Sequence, residues 1–252
     1  MRATDQFYDS LAPFYHLLYP DWERGIRNQS TAIDEIIGRH WPGAKTILDV
    51  ACGIGTQAIG LARLGYTVTG SDVSPGAIAR ATSEVDHRGL HIELSVADMR
   101  SVYDHHRKTF DAVISCDNAV PHLLTDREIF EAFRQFYHCV RPGGGCLISV
   151  RDYAKEDCTK RQLKPYGIRD TDGSRWIGWQ IWDPQPPYYQ VSLYLIEDRG
   201  DAGCETHVTR SVYNPVTISH LIGLLEQAGF MDVHRIDGVF FQPVIAATRR
   251  TD

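Results

Sequence analysis

Between Thr46 and Val150 short apolar runs alternate with segments whose apolar residues recur every three or four positions. The apolar runs at 47–50, 67–71, 91–96, 110–115 and 146–150 predict buried strands, and the intervening segments predict helices packed on both faces of a sheet. One helix buries Ala58, Leu61 and Ala62. A second opens at Ser74-Pro75 and buries Ile78, Ala81 and Val85; a third opens at a Thr125/Glu128 capping box and buries Ile129, Phe133, Phe136 and Val140. Regular alternation of this kind predicts an α/β chain, a Rossmann-like doubly wound, mostly parallel sheet of about seven strands.

The flanks break the pattern. Residues 1–45 carry Phe7, Tyr8, Phe14, Tyr15, Tyr19, Trp22 and Trp41 ahead of the first core strand, and 7–19 are expected to cap the open top of the sheet. Packing of any one ring on the sheet's flank is the other reading, since aromatics dominate core burial. From Trp22 the spacing of Ile26, Ile33, Ile36 and Ile37 predicts a packing helix, with Arg24 and Arg27 projecting from its start. Residues 152–214 switch to period two at Ile177, Trp179 and Ile181 and again at Tyr189, Val191, Leu193 and Leu195, with a third run at 206–212. They predict a small antiparallel β insertion serving as lid, substrate wall or dimer surface. Residues 215–252 return to the core as a helix stopped by Gly229 and two strands between Met231 and Thr248.

The run Ile47-Leu48-Asp49-Val50-Ala51-Cys52-Gly53-Ile54-Gly55-Thr56 reads as strand, glycine turn and helix start, the arrangement that lets a ligand approach the backbone and favours a negative group at the helix N-terminus. Gly53, Gly55 and Ala58 also fit the permissive dinucleotide pattern. Asp49 favours S-adenosylmethionine (SAM) over NAD, since a carboxylate at that strand end would repel a pyrophosphate and could accept from an ammonium; an NAD-dependent oxidoreductase stays as an alternative. Asp72, ending the next apolar run about 20 residues on, is placed for the ribose hydroxyls, its alternative being a cap before Ser74-Pro75. The DVACGIG run, with the acid on the following strand, resembles class I SAM-dependent methyltransferases.

Composition narrows the partners. A formal net charge of -6 with no basic run argues against nucleic acid, and no apolar run reaches the roughly 18 residues of a membrane span. Cys52, Cys116, Cys139, Cys146, Cys158 and Cys204 show no metal-ligand spacing, and no secretory leader precedes them, so a cytoplasmic protein with reduced thiols, no metal and a small-molecule substrate is expected, with a homodimer allowed for.

Polar residues cluster after each strand. Asp98 is placed to accept from an adenine amino group, or to cap a helix, and Met99 offers a polarisable side chain to the ring. Asn118 can hold a substrate amine or carboxylate, His122 is a proton acceptor or a satisfied structural histidine, and Arg151 offers a planar fork to a carboxylate or pairs with an acid such as Asp152. Taken with RPGG at 141–144 and Arg151-x-Tyr153, these positions are similar to glycine and glycine/sarcosine N-methyltransferases. The resemblance implies that Arg151 binds the substrate carboxylate, that Asn118 helps to hold the substrate and that Arg27 binds the SAM carboxylate. The chain departs from that family at Asp98, Met99 and Asp117, in the N-terminal cap and in the insertion.

The expected cofactor set is thus Tyr15, Arg27, Asp49, Ala51, Gly53, Gly55, Asp72, Val73, Asp98, Met99 and Asp117, and the expected catalytic set Asn118, His122, Arg151 and Tyr153. The reaction expected is in-line transfer of the SAM methyl to a neutral nitrogen of a small carboxylate-bearing amine, leaving S-adenosylhomocysteine (SAH), with His122 or Asp117 taking a proton. Methylation of an amino sugar or a phenol, and SAM binding without turnover, are the alternatives.

Overall fold

The computed structural model describes residues 3–171 and 173–251. Seven strands form one sheet: β1 Thr46–Asp49, β2 Thr67–Asp72, β3 Glu93–Val96, β4 Phe110–Ser115, β5 Val140–Ser149, β10 Met231–Ile236 and β11 Val244–Thr248, ordered β10-β11-β5-β4-β1-β2-β3. Strands β3, β2, β1, β4 and β5 run parallel, β11 is antiparallel to β5, and β10 is antiparallel to β11. Strand order reverses at β1 beside β4, which leaves a crevice beyond the carboxyl ends of these strands. The sheet interior is dry and aliphatic: Ile47, Leu48, Val113, Ile114 and Ile148 have essentially no exposure.

The crossover helices start where the sequence predicts. Ser74 caps α4 (Pro75–His87) by accepting from the Ala77 amide at 3.0 Å, and Thr125 caps α6 (Asp126–Cys139) by accepting from the Glu128 amide at 3.2 Å. Helix α3, Thr56–Arg63, follows the glycine turn, where Gly53 and Gly55 adopt φ of 53° and 93°. A side chain at either position would be strained. On α6 the buried stripe is Ile129, Ala132, Phe133, Phe136 and Cys139, and a short α5, Val102–His106, packs beside it. Helix α7, Ile218–Gln227, closes the other end with Leu221 and Leu225 fully buried.

The insertion has four antiparallel strands rather than three: β6 Gln162–Thr171, β7 Ser174–Gln185, β8 Tyr188–Asp198 and β9 Cys204–Tyr213, in sequential order. Strand β6 escapes a period-two reading because Lys164, Pro165 and Gly167 interrupt it and its register shifts between Pro165 and Gly167. On β7 both faces are apolar. Trp176, Gln180 and Trp182 point inward and are buried, whereas Ile177, Trp179 and Ile181 lie half-buried on the opposite face.

Two N-terminal helices, α1 (Ala3–Leu11) and α2 (Trp22–His40), connect the sheets. The Asp9 carboxylate accepts from the Ser74 hydroxyl at 2.6 Å and the Gly76 amide at 2.8 Å, fixing α1 to the start of α4, while Thr209 of β9 donates to the Phe7 carbonyl at 3.2 Å. A Cβ at Gly76 would lie 3.0 Å from Asp9, so the close approach depends on that glycine. Helix α1 thereby roofs the crevice. Among the described residues no helix is long and apolar enough to cross a membrane.

Candidate active site

Two cavities meet under α1. The first, about 370 Å³, lies at the carboxyl ends of β1, β2, β3 and β4 and is lined by Ala51, Gly53, Asp72, Val73, Asp98, Met99 and His122 among others. The second, about 640 Å³, lies between the main sheet and the insertion and is lined by Gln29, Asn118, Arg151, Tyr166, Gln180 and Tyr213 among others. Tyr8, Tyr15, Tyr19 and Asp117 line both. These four side chains form a shared wall between the chambers.

The first chamber is built from the glycine turn outward. Asp72 accepts from the Gly53 amide and the Ser74 amide, both at 2.9 Å, so its carboxylate is locked in place while still lining the cavity. Asp49 takes the Ala51 amide at 3.3 Å on one oxygen; its other oxygen is buried without a partner, and burial pushes the carboxyl up to about 7. A buried acid with an unsatisfied acceptor is costly unless a positive or donating group completes it. Asp49 has no exposed surface and lines neither cavity, so it stands behind the turn rather than at the chamber wall where an ammonium was expected to meet it. Gly53 lines the cavity beside the Tyr15 ring, which a Cβ there would meet at an ordinary contact distance of 3.5 Å. Asp72 and the turn residues that line the cavity, Ala51 and Gly53 among them, are the ones that would hold SAM.

At the far end of this chamber Asp98 caps the turn that follows it, accepting from the Arg100 amide and the Arg100 Nε at 2.9 Å each. Arg100 also pairs with Glu128. The carboxylate expected to face adenine thus carries the helix-cap role and an ion pair while remaining in the lining, beside Met99.

The second chamber rests on an unusual turn. Asp117 and Asn118 are consecutive left-handed residues, φ 56° and 65°, held by Ser149, whose hydroxyl accepts from the Asp117 amide at 2.8 Å and whose carbonyl accepts from the Asn118 amide at 3.1 Å. Non-glycine residues in this conformation cost on the order of 1–3 kcal/mol each and persist where surrounding structure enforces them. The turn aims Asp117 into the wall, where its Oδ2 accepts from the Tyr15 and Tyr19 hydroxyls at 3.3 Å each. Burial raises the Asp117 carboxyl, opposed by nearby Arg151 and the two hydroxyls. The Arg151 guanidinium lies over Trp182, 4.4 Å from the ring centroid, with no carboxylate partner among the described residues. Asp152, its alternative partner, is taken by Arg235 at 2.8 Å and Lys155 at 3.3 Å.

Several predicted residues stand elsewhere than expected. Arg27 is exposed on α2 and lines neither cavity, because the inward stripe runs through Ile26, Gln29, Ser30 and Ile33. Gln29 takes the inward position and accepts from Gln57 of α3 at 2.6 Å. Tyr153 also lines neither cavity. It lies buried behind Asn118, accepting from the Asn118 side-chain amide at 2.8 Å and bonding the Tyr189 hydroxyl at 2.7 Å. His122 lines only the first chamber, its ring nitrogens engaged by the Tyr8 hydroxyl at 2.9 Å and the Ser211 hydroxyl at 3.2 Å, and burial pushes it down to about 3. Gly55 shapes the turn without lining either cavity.

Sequence reasoning missed Gln29, Tyr166, Gln180 and Tyr213. Gln29 and Gln180 had a signal, being polar residues on stripes otherwise apolar; the tyrosines had none that separates a lining ring from a core ring.

Residues 47–144 match the methyltransferase domain family, and this segment is a class I SAM-dependent methyltransferase domain. The chain is 30% identical over 133 residues to a glycine/sarcosine N-methyltransferase of Parasynechococcus marenigrum (strain WH8102), a stretch covering 53% of this chain and 46% of that protein. It is 29% identical over 137 residues to a dTDP-3-amino-3,4,6-trideoxy-alpha-D-glucopyranose N,N-dimethyltransferase of Streptomyces venezuelae, covering 54% of this chain and 55% of the relative. The chain thus spans about half the length of these curated relatives. In fold it is similar to Streptomyces venezuelae DesVI, with a TM-score of 0.83 at 18% identity over 94% of this chain and 98% of that one. A SAM-bound amino pentose methyltransferase from Micromonospora echinaspora gives a TM-score of 0.77 at 21% identity, covering 90% and 94%.

Proposed function

We propose that the protein methylates a nitrogen of a small molecule that also carries a carboxylate or similar anion, with SAM in the first chamber and the acceptor in the second. The observation that carries this reading is the Arg151 guanidinium, stacked on Trp182 and lining the larger chamber without an anionic partner among the described residues. A planar fork held in one orientation suits a bidentate anion. When bound, SAM would supply a methyl group on a positively charged sulfur, which a nitrogen lone pair could accept with loss of neutral SAH.

The protein's own work is alignment and exclusion of water. Arg151 fixes the acceptor's anion. Asn118 steadies the Arg151 backbone at the chamber's edge, with Oδ1 accepting from the Arg151 amide at 3.0 Å and Nδ2 donating to Tyr153 at 2.8 Å. Tyr8, Tyr15 and Tyr19, all kept protonated by burial, close the wall through which only the reacting atoms need to meet.

A chamber of about 640 Å³ lies in the range of roughly 300–1,000 Å³ that holds drug-sized ligands, and so favours an acceptor larger than free glycine. An amino sugar bearing a phosphate or carboxylate is the second reading, favoured by that volume and by the amino-sugar methyltransferases among the similar proteins. The test is SAH formation from SAM with amino acids, N-methyl amino acids, amino sugars and phenols as acceptors. Arg151→Gln is expected to raise KM for the turned-over acceptor about ten- to hundredfold with SAM affinity unchanged. Turnover of phenols alone, or an unchanged KM in Arg151→Gln, would overturn the reading.

A further inference from the structure

Two opposite charges line the larger chamber close enough to feel each other but without a direct ion pair. Arg151 and Asp117 face the same space, are not ion-paired to each other, and have no other charged partner among the described residues. Asp152, which lines the same chamber, differs in being fully occupied by Arg235 and Lys155. A half-buried guanidinium and a carboxylate kept apart in one cavity are costly in the empty protein and favourable once a ligand completes both. The carboxylate is held there by a strained turn, so its position is enforced by the fold rather than merely tolerated.

We propose that Asp117 receives the ammonium group of the acceptor and takes its proton, presenting a neutral amine at the wall between the two chambers. The proposal rests on the N-methylation reading above and assigns within it the proton acceptor. An acceptor amine is protonated in water near neutral pH and has no lone pair to donate. On contact with Asp117 one N–H bond breaks, the electron pair stays on nitrogen, and the proton moves to a carboxylate oxygen, leaving a neutral acid. Methyl transfer restores the positive charge on the nitrogen, and the proton on Asp117 passes to water once the product has left.

Geometry selects Asp117 over His122. Asp117 borders both chambers, whereas His122 borders only the cofactor side and has both ring nitrogens engaged. The proton affinities agree: burial raises the Asp117 carboxyl and lowers the His122 ring, so the acid gains basicity where the histidine loses it. The Tyr15 and Tyr19 hydroxyls occupy only Oδ2. Oδ1 is left for the ammonium.

Calorimetry on the SAH-loaded protein tests this with two matched series, glycine, methylamine and acetate, and phenylalanine, phenethylamine and 3-phenylpropionate. In at least one series the amphoteric molecule is expected to bind about ten- to hundredfold tighter than its acid-only counterpart, the worth of a charge-assisted hydrogen bond. Asp117→Asn is expected to reduce that advantage to about threefold or less with SAH affinity within about twofold of wild type. The wild-type comparison needs no variant and stands if Asp117→Asn fails to fold. Equal binding of the amphoteric and acid-only molecules, no binding in either series at millimolar levels, or an Asp117→Asn variant that loses SAH affinity and keeps the amine preference would overturn the proposal. Failure of the underlying N-methylation reading registers separately, as absence of any N-methylated product from SAM.

Discussion

The two chambers differ in how they are made. The cofactor chamber is assembled from near-consecutive residues, 50–54 and Thr56 of the glycine turn, Asp72-Val73 and Asp98-Met99, each group following a parallel strand whose direction the main sheet fixes. The acceptor chamber is assembled from residues distant in sequence: Gln29 of α2, Asp117 and Asn118 after β4, Arg151 after β5, Tyr166 and Gln180 of the insertion and Tyr213 at the end of β9. A site made of strand tips changes little when a surface element is exchanged. One shared between a core and an added sheet can be rebuilt by altering that sheet alone, which is a route to new acceptors on a constant cofactor half.

If this division is right, damage to one chamber leaves the other's ligand untouched. The largest effect is expected for Asp72→Ala, which removes the acceptor for the Gly53 and Ser74 amides together with the proposed ribose contact. Losing charge-assisted hydrogen bonds of about 1.5–3 kcal/mol each predicts SAM affinity lower by about a hundredfold or more. Calorimetry with SAM measures it; a change below about tenfold would separate Asp72 from the cofactor.

Asp49 sharpens the same chamber through pH. Its folded carboxyl, raised to about 7, exceeds the ordinary value of roughly 3.9, so between those two values the ligand-free protein keeps a proton that the unfolded chain has released. Stability from this group therefore falls as pH rises through that window, by up to about 1.4 kcal/mol per unit, and stays lowered above it. Asp49→Asn removes the penalty: the ligand-free variant should melt several degrees above wild type at pH 8, with the gap closing toward pH 4. Equal Tm values at pH 8 would show that the acid carries no buried cost.

On the acceptor side, Tyr153→Phe deletes the hydroxyl that accepts from Asn118 and bonds Tyr189. A net hydrogen bond of about 1 kcal/mol predicts an acceptor KM raised about fivefold with SAM affinity unchanged. A fall in SAM affinity instead would mean that the two chambers are coupled through the Asp117–Asn118 turn.

The same division accounts for what could be read from the chain. Strand ends and the glycine turn declare themselves because hydrophobic runs, acids and glycines follow one another locally, and the sheet then brings Asp49, Gly53 and Asp72 together by a fixed rule. Asn118 and Arg151 were legible as polar residues after buried strands. Their surroundings were not: Trp182 under Arg151 comes from β7, where both faces are apolar and periodicity cannot say which one turns inward. Strand β6 was hidden by its own bulge. The turn at Asp117–Asn118 has no composition signal, since each residue tolerates the left-handed region yet rarely adopts it.

The smallest expected effect concerns Arg27, the residue for which family resemblance and helical geometry diverge. A helix turns 100° per residue, so Ile26, Gln29, Ser30 and Ile33 share the buried face and Arg27 is carried to solvent beside the exposed Arg24 and Asn28. Its guanidinium has no route to the cofactor chamber while α2 stays pinned, and α2 is pinned on the site side by the Trp22 indole donating to Thr56 at 2.9 Å and by the Gln57–Gln29 bond. Arg27→Ala is therefore expected to leave SAM affinity within about twofold, whereas Gln29→Ala, which strips the acceptor from Gln57 of the cofactor chamber, is expected to weaken it about fivefold. Paired titrations of the two variants decide the matter: a loss at Arg27 that exceeds the loss at Gln29 would require α2 to rotate when SAM binds, and Tyr15 and Tyr19, which lie between α1 and α2, would then have to move with it.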